Sequence, residues 1–244
     1  MLGKFVQLNR EACEKFAAKF PDFCKTRKQH RGALIERLLK ACDSIPAKKL
    51  LDAGAINRPV LPKDPRYTLT GLDIEYKEDC EGIYDNFIVQ SIEEPLLEHQ
   101  DLIYSHALLE HVPNNKNTFM TIYDCLNPEG ETHHYVPCKG HPYALILRLM
   151  GNDTQRMLIN KLRPWVKPGT TGYPTFFSYC TPRQMRKLLD EIGFSEVTVE
   201  PHYRANYYFK FFFPLYLLIT AFENLCRSLN WNYFSSGMQI AARK

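Results

Sequence analysis

Most of the marks that assign a protein at a glance are missing from this sequence. Its eight cysteines, Cys13, Cys24, Cys42, Cys80, Cys125, Cys138, Cys180 and Cys226, are scattered, and no two form a C-x-x-C pair. That argues against a zinc knuckle or a dithiol redox motif. No H-x-x-H or H-E-x-x-H spacing offers a pair of metal ligands. Neither sign of charge dominates: the net charge is +4 over 244 residues, 24% of them charged and 45% hydrophobic. This is an ordinary globular composition, and it neither demands nor excludes an anionic partner. The opening MLGKFVQLNREACEKF lacks the apolar core and small-residue cleavage site of a signal peptide, so free thiols in a reducing, cytoplasmic compartment are expected. The uncharged run from Phe211 to Phe222 is shorter than the roughly 18–20 apolar residues a spanning helix needs, and Pro214 falls inside it. A G-x-G-x-x-G loop is absent, which weakens a dinucleotide-dependent oxidoreductase.

What is present is an alternation of strands and helices. Asn9 to Phe20 reads as an amphipathic helix, a basic run follows over residues 25–31, and Ala33 to Cys42 reads as a second helix that Pro46 closes off. Strands are then expected at Lys49–Ala53, Tyr67–Ile74, Asp85–Val89, Asp101–Ser105 and Glu131–Val136, with a helical stretch from Asn115 to Leu126. From Cys138 to Cys180 the rhythm breaks. Four prolines and four glycines punctuate one apolar helical stretch, Tyr143 to Met150, as in an insertion that covers a site. Thr181, Pro182 and Gln184 have the order of an N-cap, a first helical residue and a capping-box partner, and Gly193 suits the C-cap. Strands at Glu196–Val199 and Met238–Ala242 complete seven. The expectation is one α/β domain: a doubly wound, mostly parallel seven-stranded sheet, with a cap insertion at about 138–180 and an apolar helical segment at about 203–234.

Four features fall in a telling order. An acid ends the first strand before a tight turn, Asp52-Ala53-Gly54-Ala55-Ile56-Asn57. An acid ends the second, Gly71-Leu72-Asp73-Ile74. A polar turn, Gln90-Ser91-Ile92-Glu93, follows the third. The fourth strand leaves through Ser105-His106-Ala107-Leu108-Leu109-Glu110-His111-Val112. In an open parallel sheet all four lie at the carboxyl ends of strands, where the ligand crevice forms. Each is weak alone, since aspartates at strand ends and glycines in turns are common for structural reasons. Their joint order is more specific.

Asp101 to Val112, followed by Leu126-Asn127-Pro128-Glu129-Gly130 and by Glu191-Ile192-Gly193-Phe194, closely resembles the class I S-adenosylmethionine-dependent methyltransferases, over roughly residues 48–137 and 181–200. The resemblance implies S-adenosylmethionine as cofactor. Asp52, Gly54 and Ala55 would hold its methionine side, Asp73 the ribose, Ile74 the flank of the adenine, and Ser91 with Ile92 the adenine edge. Ser105 and His106 would face the methionine portion and the transferred methyl. The chain departs from the family's D-x-G-x-G-x-G loop, because Ile56 and Arg58 stand at the second and third glycine positions. Asn57, which tolerates left-handed backbone, and the rigid Pro59 offer a re-routed loop.

An oxygen acceptor requires a general base, and His106 is the best placed of the candidates His106, His111, His133, His134 and His141. A small-molecule or lipid-like acceptor fits best. Nucleic acid is disfavoured by the modest charge and by the lack of an N/D-P-P-Y-type motif after the fourth strand. The competing reading is a catalytically inactive methyltransferase fold serving as a binding scaffold, suggested by Ile56 and Arg58. The tail over 203–234 has three readings: core or homodimer interface, an apolar wall for the acceptor, or a peripheral membrane contact with Tyr203, Tyr207, Tyr208 and Trp231 at headgroup level and Lys210 and Arg227 nearby.

Overall fold

All seven expected strands form in the computed structural model, which describes residues 2–24, 30–44, 48–76, 78–150 and 173–244 together with 154, 157 and 161. Most of the basic run (25–29), Pro46 and much of the proline-rich part of the insertion lie outside the described residues. The strands are β1 (Lys49–Ala53), β2 (Thr68–Asp73), β3 (Asn86–Val89), β4 (Gln100–His106), β5 (Leu126–Pro137), β6 (Ser195–His202) and β7 (Gly237–Arg243). They make one mixed sheet in the order β3-β2-β1-β4-β5-β7-β6. The pairs β3–β2, β2–β1, β1–β4 and β4–β5 are parallel. The end of β7 meets the start of β5 (Lys244 N to Gly130 O, 3.0 Å) and the start of β6 (Ser195 Oγ to Arg243 O, 3.1 Å), so β7 runs against both neighbours.

The helices are α1 (Leu2–Lys19), α2 (Pro21–Cys24), α3 (His30–Ser44), α4 (Asn115–Cys125), α5 (Pro142–Met150), α6 (Pro182–Ile192) and α7 (Phe213–Ser228). Chain contacts divide these elements into two compact units. One comprises Met1–Arg27, Cys138–Pro174 and Pro201–Gly237; the other comprises Lys28–Pro137, Thr175–Glu200 and Met238–Lys244.

The second unit carries the sheet. On one face, Leu34, Leu38, Ala41 and Cys42 of α3, at helical spacing, pack with Leu50, Leu102, Tyr104 and Tyr135. On the other lie α4 and α6, where Phe119 meets His134 and Phe194 edge-on. The crossover from β1 to β2 has no helix. Pro59, Pro62 and Pro65 recur every third residue there, and each removes a backbone donor that a helix would need. The segment instead buries Val60, Leu61 and Tyr67 as an irregular cover over the sheet. Helix α6 forms as its capping signals require: Thr181 Oγ1 accepts from Gln184 N at 3.4 Å, Pro182 opens the helix, and Gly193 closes it at φ 107°. Gln184 does not reach back to the Thr181 amide, which donates to Tyr179 O; its Oε1 accepts from the Thr181 hydroxyl at 3.0 Å. Residues 126–130, ahead of the expected strand, form the irregular start of β5, where a Cβ on Gly130 would stand 2.9 Å from Asn127 O.

The first unit gathers α1, α2, α5 and α7. Cys13, Cys24 and Tyr216 are its buried centre, flanked by Phe16, Ala17, Phe213 and Leu217. Pro214 falls in the first turn of α7, where a missing N–H costs nothing, so it opens the helix instead of breaking it. Close packing also excludes a side chain at Gly140, whose Cβ would fall 2.2 Å from Tyr233 O. All eight cysteines are free and buried.

Candidate active site

The loop after β1 is held from inside. Gly54 has φ 78°, which favours glycine, and a Cβ there would touch Leu108 at 3.2 Å. The amides of Gly54 and Ala55 both donate to Leu72 O, at 2.8 and 3.0 Å. Asp52 is buried. Its Oδ2 lies 3.4 Å from both Val60 N and the Tyr84 hydroxyl, and desolvation raises its carboxyl to about 7. Tyr84 also donates to Ile56 O at 2.9 Å. From α3, Arg31 Nη2 donates to Arg58 O at 3.0 Å and Pro59 O at 2.6 Å. Gly54 is the only residue of this turn with positive φ. The backbone at Ile56 and Arg58 therefore has no conformational need for glycine. Asn57, which tolerates left-handed backbone, does not adopt it here; its side-chain amide bonds Asp79.

At the end of β2, Asp73 is half-buried, Oδ1 accepts from Glu75 N at 3.2 Å, and its carbonyl accepts from Gln90 N at 3.0 Å. Ile74 beside it is 76% exposed. After β3, Ser91 Oγ accepts from Glu93 N at 3.2 Å while Ile92 is buried. Glu93 Oε1 in turn accepts from Asn114 N at 2.9 Å, fixing this turn to the start of α4. A carboxylate, an exposed aliphatic platform and a polar turn thus stand together at the carboxyl edge of neighbouring strands. Such a set could meet ribose hydroxyls and one face of an adenine ring.

At the end of β4, successive residues part to opposite faces. Ser105 points into the core, where its hydroxyl lies 2.7 Å from His134 Nδ1. His134 Nε2 lies 2.6 Å from Thr132 Oγ1, which donates to Ile103 O at 3.0 Å. Thr132 has one proton and spends it on Ile103. His134 must then donate from Nε2 and accept Ser105's proton at Nδ1, and burial lowers this neutral ring to about 3. His106 points the other way. Its Nε2 is 2.8 Å from His30 Nδ1, and both rings stack on Tyr135, with centroids 5.4 and 4.2 Å away. Desolvation, then the Arg31 charge, lowers His106 to about 4. Ala107 follows with φ 58°, turning the chain so that Leu108 meets Gly54.

Gly54, Ala55, Asp73, Ile74, Ser91, Ile92 and His106 therefore sit at the strand ends where the sequence put them, whereas the Asp52 and Ser105 side chains are turned inward. Of the other histidines, His133 pairs with Glu131 at 2.8 Å, and His141 is buried in the first unit. Sequence reasoning did not find His30, Arg31, Tyr84 or Tyr135. His30 and Arg31 close a basic run, and nothing local marks them as partners of residues 76 and 27 positions away.

The family of methyltransferase domains matches residues 22–199, and the chain belongs to it. Its fold is that of the class I S-adenosylmethionine-dependent methyltransferases, and the strand order agrees. Among solved structures of similar fold, a putative sarcosine dimethylglycine methyltransferase from Galdieria sulphuraria is 16% identical at a TM-score of 0.54, over 88% of this chain and 84% of that one. The CurJ carbon methyltransferase is 16% identical at a TM-score of 0.54, over 87% of this chain; this chain spans only about half of it, 53%. The [4+2]-cyclase SpnF is 16% identical at a TM-score of 0.55, over 87% of this chain and 80% of that one. None of the curated proteins matches the sequence.

Proposed function

We propose that the second unit transfers a methyl group to a small-molecule or lipid-like acceptor, with His106 as general base. The observation that carries this reading is the neutral His106 at the mouth of β4, joined to His30 and set beside the turn that holds Gly54. When bound, S-adenosylmethionine supplies an electrophilic methyl on its sulfonium. Asp73 would accept from the ribose hydroxyls, Ile74 would lie against the adenine with Ser91 and Ile92 at its edge, and the Gly54–Ala55 turn would approach the methionine portion. Asp52 and Arg31 serve the same end by fixing the loop backbone. In the tautomer that donates Nε2–H to His30, the Nδ1 lone pair of His106 is left for the acceptor's proton, and His30 shares the developing charge. Alignment of acceptor and methyl supplies most of the rest.

Titration calorimetry with S-adenosylmethionine and S-adenosylhomocysteine tests the cofactor half. Asp73→Ala is expected to weaken both by about tenfold to a hundredfold, the worth of roughly 1.5–3 kcal/mol for a charged hydrogen bond. Equal affinity in the variant would remove the ribose assignment. A wild type that binds neither compound at millimolar concentration would favour the scaffold reading, which rests on Ile56 and Arg58 alone.

A further inference from the structure

The residues of α7 are distributed the wrong way round for a helix bordering water. Its inward face carries Tyr216, Ile219, Thr220, Glu223 and Cys226, and the Glu223 carboxylate accepts from Ala205 N at 2.7 Å. Its outward face is Pro214, Leu218, Ala221 and Leu225, continued by Leu229. Leu218 is 64% exposed and Leu225 49%. These positions follow one another by three or four residues, a single stripe along the helix, and no charge interrupts it. Trp231 and Tyr233 stand exposed beyond one end of the stripe. At the other, Phe212 stacks on Phe5 of α1 with centroids 6.3 Å apart. Fourteen of the twenty-three exposed large apolar residues among those described belong to the first unit, although it is the smaller of the two. A contiguous apolar face of this kind on a water-soluble surface marks an interaction site.

Charge says what covers it. The ranges of the first unit contain fifteen Lys and Arg against five Asp and Glu, a net charge of +10. One of those five acids is the buried Glu223. The second unit contains sixteen against twenty-two, a net charge of −6, and the two together give the +4 of the whole chain. The modest overall charge thus conceals a strongly basic unit that also carries the bare apolar helix. We propose that the first unit docks on an anionic membrane surface, with Leu218, Leu225 and Leu229 entering the interface and Trp231 and Tyr233 at headgroup depth. An apolar stripe on a unit this rich in cations matches the acyl and phosphate layers of such a surface. A second copy of the chain would bring +10 against +10 and is disfavoured by the same charge. Among the described residues no helix is long and apolar enough to cross a membrane, so the contact is a peripheral one. The inference rests on the first unit alone and stands whether or not the reading of the crevice holds.

Sedimentation of the full chain with vesicles tests it, using phosphatidylcholine alone and phosphatidylcholine mixed with phosphatidylglycerol. The wild type is expected to bind the mixed vesicles, to release them as salt rises, and to leave pure phosphatidylcholine largely unbound. Leu218→Ser with Leu225→Ser should weaken binding by about a hundredfold, through lost apolar burial, and leave the melting temperature unchanged because both side chains point outward. If that pair disturbs folding, Trp231→Ser reads the same contact. Failure of the wild type to bind the mixed vesicles, or equal binding by a folded variant, overturns the proposal. So does a wild-type dimer in light scattering that the double substitution dissociates, or retention on RNA without retention on vesicles.

Discussion

Replacing His106 by glutamine is expected to lower kcat/KM by about a hundredfold to ten-thousandfold on any acceptor that gives up a proton, the range general-base catalysis supplies. Glutamine keeps a polar group that can meet His30 at 2.8 Å but cannot take a proton at working pH. The loss should fall on kcat, with S-adenosylmethionine affinity changed little, in contrast to Asp73→Ala, which acts on binding. The pH dependence gives a second check. Desolvation and Arg31 hold His106 near 4, so it stays a free base down to that pH. The wild-type rate should lose its base only as pH falls through about 4, not through the usual histidine value near 6.5, and the variant should lack this acid limb. Release of S-adenosylhomocysteine, followed across pH with an acceptor that the wild type turns over, measures both. A kcat/KM within a few-fold of wild type would take the base assignment away from His106.

The parts of the fold legible in the sequence are those written locally. The strand runs Leu50-Leu51 and Leu102-Ile103-Tyr104 are apolar on both faces, as strands covered on both sides must be. Thr181, Pro182 and Gly193 mark the ends of α6 because capping uses residues within three or four positions of the helix end. The helix-free crossover after β1 was also written there, in Pro59, Pro62 and Pro65. What was not legible is set by distance. The first unit is assembled from three stretches separated by 110 residues at one gap and 26 at the other, and no periodicity reports such a meeting. Helix α7 defeated pattern reading for a different reason. It is apolar on both faces, so the period of 3.6 that distinguishes inside from outside is nearly silent. Only the structure shows that its carboxylate faces in and its leucines face out. In the crevice, Asp73 and Ile74 were legible from their place at a strand end. The inward turn of Asp52 was not, because it depends on Tyr84, thirty-two residues away.

Glu110 carries the other large expected effect. It sits in the Leu109-Glu110-His111-Val112 segment, 5% exposed, with Oε2 lacking any hydrogen-bond partner and Oε1 3.7 Å from His111 Nε2. Its carbonyl accepts from Phe176 N at 2.8 Å and Phe177 N at 3.1 Å, so the residue is anchored by its backbone and its side chain has no way out. Desolvation raises the carboxyl from 4.5 to about 8, and the folded chain keeps a proton that the unfolded chain gives up. The sign follows from linkage. Between about 4.5 and 8 the native state binds more protons, so stability is full below the lower value and falls as pH rises toward the upper. Glu110→Gln resembles the protonated acid in shape and cannot ionise, so the variant should gain on the wild type from pH 5 to about pH 8 and then hold that advantage to pH 9. At 1.36 kcal/mol for each unit of pKa the difference reaches on the order of 5 kcal/mol. Asp52 and Glu223, each raised to about 7, tilt both proteins the same way. His106, His134 and His141, all lowered by burial, tilt both the opposite way, costing stability as pH falls below 6.5. These contributions cancel in the difference, which isolates Glu110. Urea midpoints of the two proteins, measured at matched pH values, give it directly. A gap that stays flat from pH 5 to pH 9 would show that Glu110 is already ionised in the folded chain, with its charge met by His111.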